Sequence, residues 1–317
     1  MPKDVVIPVA TAGGMMYIRR QLNGDENMEI GKKSTSAAVK SMAEHLQSIE
    51  DMARFSFFYA ARYLKRGMLQ NETLADCIFE HTPLMFHGLE FRDKEKFAEI
   101  PLCCELNDAV RRFSELEPAE FEKSVWSQCG SAIRERAGEL YGKSRGIGTP
   151  ASWNCGSLKY DLPDAENPRL CRFHIYNTVA PNSLFADPEY LILCFKLMMK
   201  ECSLRFGADT LITSTWLNER SRWLDFFPEE FHASLTPRHP DKAPGKTVGS
   251  WGFLYDARGC MNMKYINQVR ENGVLPFLSR TGRCSFAAMW DHLESLPELL
   301  AKIPRWNPRL SDKGGDF

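Results

Sequence analysis

Residues 142–157, GKSRGIGTPASWNCGS, concentrate glycine, serine and proline, and the chain changes rhythm across them. Ahead of them apolar residues recur every three or four positions, the period of a helix face. Beyond them short apolar runs alternate with helical stretches, the pattern of strands laid between helices. With that switch and no internal repeat, the expectation is an α+β protein: a helical N-terminal region plus a mixed α/β C-terminal domain. Three parts follow: an N-terminal arm at 1–33, a helical domain at 34–150 and a mixed-sheet α/β domain at 151–317. The length of 317 residues agrees with more than one core, since single cores stop growing near about 250 to 300 residues.

In the arm, DVVIPVA reads as a short strand and TAGG as a turn. Gly13 and Gly14 follow that strand, but neither GxGxxG nor GxxxxGK[ST] surrounds them, so a phosphate loop is not expected. From Ser34 a long helix begins behind hydroxyl caps and closes on Lys65, Arg66 and Gly67. Val39, Met42, Leu46, Ile49, Met52 and Phe55 form its apolar stripe. Shorter helices are expected after Asn71 and over ELNDAVRRFSEL. The clearest is PAEFEKSVWSQCGSAIRERAGELYG, with Pro118 at its first position and Gly142 after its last.

In the second half, strands are expected at SLKYDL, RLCRFHIYN, DTLITSTW, VGSWGFLYD and near GRCSF. Helices are expected at DPEYLILCFKLMMKECSLRFG, NERSRWLDFF, MNMKYINQVRENG and AAMWDHLESLPELLAKI.

Charge narrows the partners. Forty basic against 41 acidic side chains leave a net charge of -1, with no single-signed field to draw a nucleic-acid backbone. No apolar run reaches the roughly 18 residues that span a bilayer. The opening MPKDVVIPVATAGG carries no basic leader, so a cytoplasmic protein is expected. Ten cysteines scattered without a CxxC suit reduced, mostly buried thiols.

The chemistry-bearing residues cluster at two strand ends. On RLCRFHIYN, alternation puts Arg172, His174 and Tyr176 on one face, with Asn177 at the break. Guanidinium, imidazole and phenol in one row can orient an anion and exchange a proton. The strand LITSTW ends in Thr213, Ser214, Thr215 and Asn218, with Trp216 beside them, at the carboxyl end where α/β sheets collect ligands. Asn218 also suits a helix cap, and no GxSxG elbow makes Ser214 a nucleophile. Trp251, Phe253 and Tyr255 would share a strand face, either as core or as the wall of a substrate pocket. Arg280 and Arg283 flank a glycine turn and suit either an anion clamp or solvent. His232 and His239 stand in a proline-bearing loop without HExxH or zinc spacing, so no metal is expected.

From about 170 to 256 the order strand, helix, strand, Asn, short amphipathic helix, aromatic-proline turn, strand resembles the later half of the GCN5-related N-acetyltransferase fold. TSTWLNERSRWLDFFPEEF occupies the place of that family's Asn, short helix and Gly-Phe turn. The family's glycine-bearing diphosphate loop is replaced here by TVAPNSLFADPEY, without glycine, and RWLDFF lacks the family's short-helix tyrosine. The resemblance implies a small-molecule group-transfer enzyme of specialised metabolism, acyltransferase-like, using an acyl-CoA. His174 would be the base, Tyr176 an acid, Arg172 a holder of acidic substrate, and Thr213, Ser214, Thr215 and Asn218 would position the carbonyl. An enzyme of another class in the same pocket, with a metal or no cofactor, stays open, as does a non-catalytic sensor or partner-binding protein.

Overall fold

The computed structural model describes residues 5–11, 14–20, 28–33, 40–65, 72–141, 152–179, 182–239, 243–256 and 258–306. The domain boundary expected near residue 150, the Gly13 turn and Val39 lie outside these residues. The chain is α+β. In chain order its elements begin with β1 (Val5–Thr11), β2 (Gly14–Arg20) and β3 (Met28–Lys33). Helices α1 (Met42–Lys65), α2 (Leu74–His81), α3 (Pro101–Phe113) and α4 (Pro118–Leu140) follow. Then come β4 (Ser152–Cys155), β5 (Leu158–Asp161), β6 (Leu170–Ile175), α5 (Pro188–Phe206) and β7 (Thr210–Thr215). Short helices α6 (Ser221–Leu224), α7 (Glu229–Ser234) and α8 (Val248–Trp251) precede α9 (Met263–Asn272), β8 (Arg280–Ser285) and α10 (Phe286–Ala301). No helix among the described residues is long and apolar enough to cross a membrane.

Contacts divide the chain into two compact units: Met1–Val39 with Gly146–Thr236 and Arg280–Phe317, and Lys40–Arg145 with Pro237–Ser279. Residues 237–279, which sequence rhythm assigns to the sheet half, therefore pack with the helices.

In the helical unit α1 packs along α4, and α3 joins α4. Ile49, Met52, Phe55 and Tyr59 of α1 are buried with Phe121, Val125 and Ile133 of α4. Met42, the early end of the expected stripe, is instead 41% exposed. Thr73 caps α2 in a reciprocal pair: its hydroxyl accepts from Asp76 N at 3.1 Å while Asp76 accepts from Thr73 N at 3.1 Å. The expected strand VGSWGFLYD is α8 followed by a 3-10 turn, Gly252–Leu254. The two-residue spacing of its aromatics imitates a strand, but Trp251, Phe253 and Leu254 are buried from successive helical turns. Trp251 lies edge-on to Phe55 and Tyr59, with centroids 5.8 and 5.0 Å away.

The sheet unit carries five strands in the order β4-β5-β6-β7-β8. All neighbours are antiparallel except β6 and β7, which are parallel and joined through α5. Asp187 caps α5 at Tyr190 N, 3.1 Å, and Gly207 ends it in the left-handed region at φ 68°. Helix α5 packs on β4 and β5, while α10 packs on β8 and on α5. Under them lie Cys171, Phe173, Phe195, Met198, Leu211, Trp223, Phe227 and Met289. The alternate residues of the same strands face the other way and are mostly polar, with apolar Leu170 and Ile212 among them, as in a sheet covered on one side. A separate three-stranded antiparallel meander runs β1-β2-β3. Only the first of its strands is expected from the sequence.

Candidate functional site

Strand β6 buries Cys171 and Phe173 and exposes Arg172 and His174, so the row read from the sequence is the open face of the sheet. In register, His174 stands opposite Lys159 of β5, and Phe173 opposite Tyr160. That pairing brings Asp161, two residues beyond Lys159, to His174: Nε2 to Oδ2 is 2.7 Å. A carboxylate only accepts, so the bond places a ring proton on Nε2, and in the neutral ring Nδ1 is the nitrogen with the lone pair. The pair lies in reach of water, with the side chains 46% and 42% exposed. Partial burial pushes the Asp161 carboxyl up. The His174 hydrogen bond, with the charges of Arg172 and Lys159, outweighs it and holds the group below the usual aspartate value. Asp161 is therefore an ionised carboxylate at neutral pH. Tyr176 continues the row, 44% exposed, and its hydroxyl has no hydrogen-bond partner among the described residues.

The parallel ladder between β6 and β7 pairs only Leu170–Arg172 with Thr210–Ile212. Past those residues the strands are no longer laddered, and the hydroxyl of Thr213 bridges them by donating to Phe173 O at 3.0 Å. Ser214 meets Thr281 of β8 on the open face, oxygen to oxygen 2.5 Å. Both the row and this strand end belong to one unit.

The remaining residues of the expected site hold the scaffold. Thr215 caps the 3-10 turn Trp216–Glu219, accepting from Leu217 N at 3.2 Å, and Asn218 lies inside that turn rather than capping the helix after it, since α6 starts behind Arg220 without a side-chain cap. Asn218 is buried with every polar atom engaged. Its Nδ2 donates to Thr213 O at 3.3 Å and Arg280 O at 2.7 Å, and its Oδ1 accepts from Trp223 Nε1 at 2.9 Å. It ties β7 to β8 and has nothing left for a carbonyl of a substrate. Asn177 closes the turn after β6, donating to Asn182 O at 2.9 Å and accepting from Val179 N at 3.2 Å. Trp216 is partly buried against the core of the sheet unit. Trp251, expected as a substrate wall, instead belongs to the core of the helical unit and is wholly buried, with no surface to offer a substrate.

Two groups escape a reading of the sequence. Asp161 is visible only once the β5–β6 register is known, and the connection of residues 162–169 does not reveal that register. A buried hydroxyl cluster joins Ser157, Thr178 and Tyr190: Ser157 to Thr178 is 2.7 Å and Thr178 to Tyr190 is 2.8 Å. Burial pushes the Tyr190 phenol up and the Cys194 thiol beside it up to about 12. These groups fasten the start of β5, the end of β6 and the first turn of α5, and a thiol so displaced is not a nucleophile at neutral pH.

An open cleft of about 500 Å³ lies elsewhere in the same unit, lined by Phe227, His232, His292, Leu296 and Lys302 among others, and it shares no residue with the β6 row. Each histidine there donates from Nε2 to a main-chain carbonyl, His232 to Phe227 at 3.1 Å and His292 to Asp225 at 2.9 Å. No group of three or more His, Cys, Asp or Glu side chains that would hold a metal ion occurs among the described residues.

No protein-family model and no curated protein matches the chain. Among solved structures it is similar to an acyltransferase crystallised in complex with CoA and 10C-Teicoplanin, with a TM-score of 0.29 and 11% identity. The similarity covers 58% of this chain and 64% of that one, less than two thirds of its length. The order β6, α5, β7 is the strand, helix, strand expected from the sequence, with β6 and β7 parallel. The closing strand expected after them is not at Val248–Leu254, and the strand that pairs with β7 is β8.

Proposed function

We propose that the chain is a small-molecule group-transfer enzyme, acyltransferase-like, with His174 as its base. The observation that carries this is the Asp161–His174 pair: a carboxylate held on Nε2 makes Nδ1 the lone-pair nitrogen of the neutral ring, on an open sheet face. It stands beside the point where two parallel strands lose their ladder. Proton removal must accompany attack by an amine on an acyl carbon near neutral pH. In the proposed step the amine nitrogen bonds to the acyl carbon as its proton passes to His174 Nδ1. The bond from that carbon to the leaving group breaks, and the leaving group takes a proton from the Tyr176 hydroxyl. Asp161 is the positioning residue that fixes the tautomer.

Coenzyme A does not fit the N-terminus of α5 through its diphosphate. Asp187 already caps that end with a carboxylate, and like charges repel where a diphosphate needs free backbone N–H groups. The donor in this step is an activated acyl group such as an acyl thioester, held elsewhere than at the N-terminus of α5.

The test is thiol release from acetyl-CoA and longer acyl-CoAs in the presence of a panel of amines, with wild type, His174→Gln and Tyr176→Phe. Loss of a positioned base costs about 10²- to 10⁴-fold. A His174→Gln variant as fast as wild type removes the assignment. A protein inert to every acyl donor removes the acyl-transfer reading.

A further inference from the structure

The open face carries charge that the proposed proton transfer does not use. Arg172 of β6 and Arg283 of β8 both stand opposite Ile212, one from each side, so the three form a row across the middle of the sheet. Lys159 lies on the same face, opposite His174. Arg172 and Arg283 are exposed and Lys159 is half-buried. None of these cations makes an ion pair or a side-chain hydrogen bond with another described residue, whereas Arg169, Arg205 and Arg305 of the same unit are each paired with a carboxylate. Asp161, whose carboxylate feels the charges of Arg172 and Lys159, is engaged by His174. Beside the row the Ser214–Thr281 pair adds hydroxyls.

We infer that this face binds a small ligand carrying two anionic groups, carboxylate or phosphate, joined by a short spacer that lies over Ile212. Adjacent strands stand about 4.8 Å apart, so the Arg172 and Arg283 backbones are about 10 Å apart. Two guanidinium forks at that separation hold one oxyanion each, bidentately, and a single monoanion engages only one of them. Ile212 between them offers the spacer an apolar contact. The ligand is the acceptor of the group transfer proposed above, and only its description as acceptor rests on that reading.

Binding is testable without turnover. The full chain is titrated by calorimetry at low ionic strength with glutarate, inorganic pyrophosphate and acetate, in wild type and in the variants Arg172→Gln, Arg283→Gln and Arg205→Gln. The result expected is saturable binding of at least one dianion and none of acetate, weakened at least tenfold by Arg172→Gln and by Arg283→Gln and unchanged by Arg205→Gln. Which dianion binds separates the carboxylate source from the phosphate source. Unfolding midpoints check that each variant folds. Failure of both dianions to bind, or equal binding by Arg172→Gln and wild type, overturns the inference. Wild-type transfer by His174→Gln alongside intact dianion binding would sink the proposed base and leave this site standing.

Discussion

Gly156 and Asp161 show how single residues hold the candidate site in place. Gly156 turns the chain between β4 and β5 at φ +67°, and a Cβ there would meet Cys194 Sγ at 2.5 Å and Tyr190 Oη at 2.7 Å. A left-handed backbone and an overfilled core add, so Gly156→Ala is expected to destabilise by about 2 to 4 kcal/mol, read as a fall in the denaturant midpoint. A variant as stable as wild type would mean that the hydroxyl cluster under the turn yields easily. Asp161 acts through charge. Its folded pKa lies below the ordinary 3.8, so the stability it contributes is present above that value and is lost as pH falls through the lower folded value. Asp161→Asn is therefore expected to melt below wild type at pH 6 to 7 and level with it well below pH 3.8, in a series of thermal scans. A gap that persists unchanged into acid would mean that packing, not charge, is what the variant removes. The row Arg172, His174, Tyr176 was legible in the sequence because alternation along one strand needs no partner. Asp161 was not, because only the pairing with β5 brings it there.

Elements with their own caps and periods were readable, and elements that borrow their shape from neighbours were not. Helices α4 and α5 follow from Pro118 and from Asp187 with Pro188 at their starts, and from apolar spacing along their length. The stretch Val248–Leu254 misled because its aromatic spacing matches a strand, while its burial is set by the α1 rings Phe55 and Tyr59. Asn218 carries a comparable lesson across β7, β8 and α6. A polar residue at a strand end reads as a ligand contact, yet here it satisfies two carbonyls and the Trp223 ring N–H. Asn218→Ala takes the partner from the buried Trp223 ring N–H and removes a donor from each of the two carbonyls. At about 1 to 3 kcal/mol for a buried group left unpaired, a loss of about 2 kcal/mol is expected in urea unfolding. A loss below about 1 kcal/mol would show that water or a shift of α6 replaces the amide.

At the scale of the whole molecule, the switch from helical to strand rhythm gave the α+β class, but contiguity in sequence did not carry over into packing. Residues 237–279 return to the helical unit before β8 completes the sheet. Periodicity describes each segment by itself, whereas burial of Trp251, Phe253 and Ile266 depends on which surface they reach. Thiol chemistry reports on both units together. Of the ten cysteines, Cys104 is exposed, Cys260 is intermediate and the other eight are buried. Burial pushes Cys77, Cys103, Cys129 and Cys284 up to about 12. A disulfide reagent at neutral pH is expected to modify Cys104 and Cys260 quickly and the rest only on unfolding; fast modification of any buried thiol would place that segment differently. The claim on which the functional account turns is narrower: Asp161 holds the ring proton of His174 on Nε2 and leaves Nδ1 as the base. Long-range ¹H–¹⁵N NMR of the histidine rings tests it directly, with His174→Gln to assign the signals and Asp161→Asn to perturb them. At a pH where the ring is neutral, the account predicts an Nε2–H tautomer that becomes mixed in Asp161→Asn. An Nδ1–H tautomer, or a spectrum indifferent to Asp161→Asn, would contradict it.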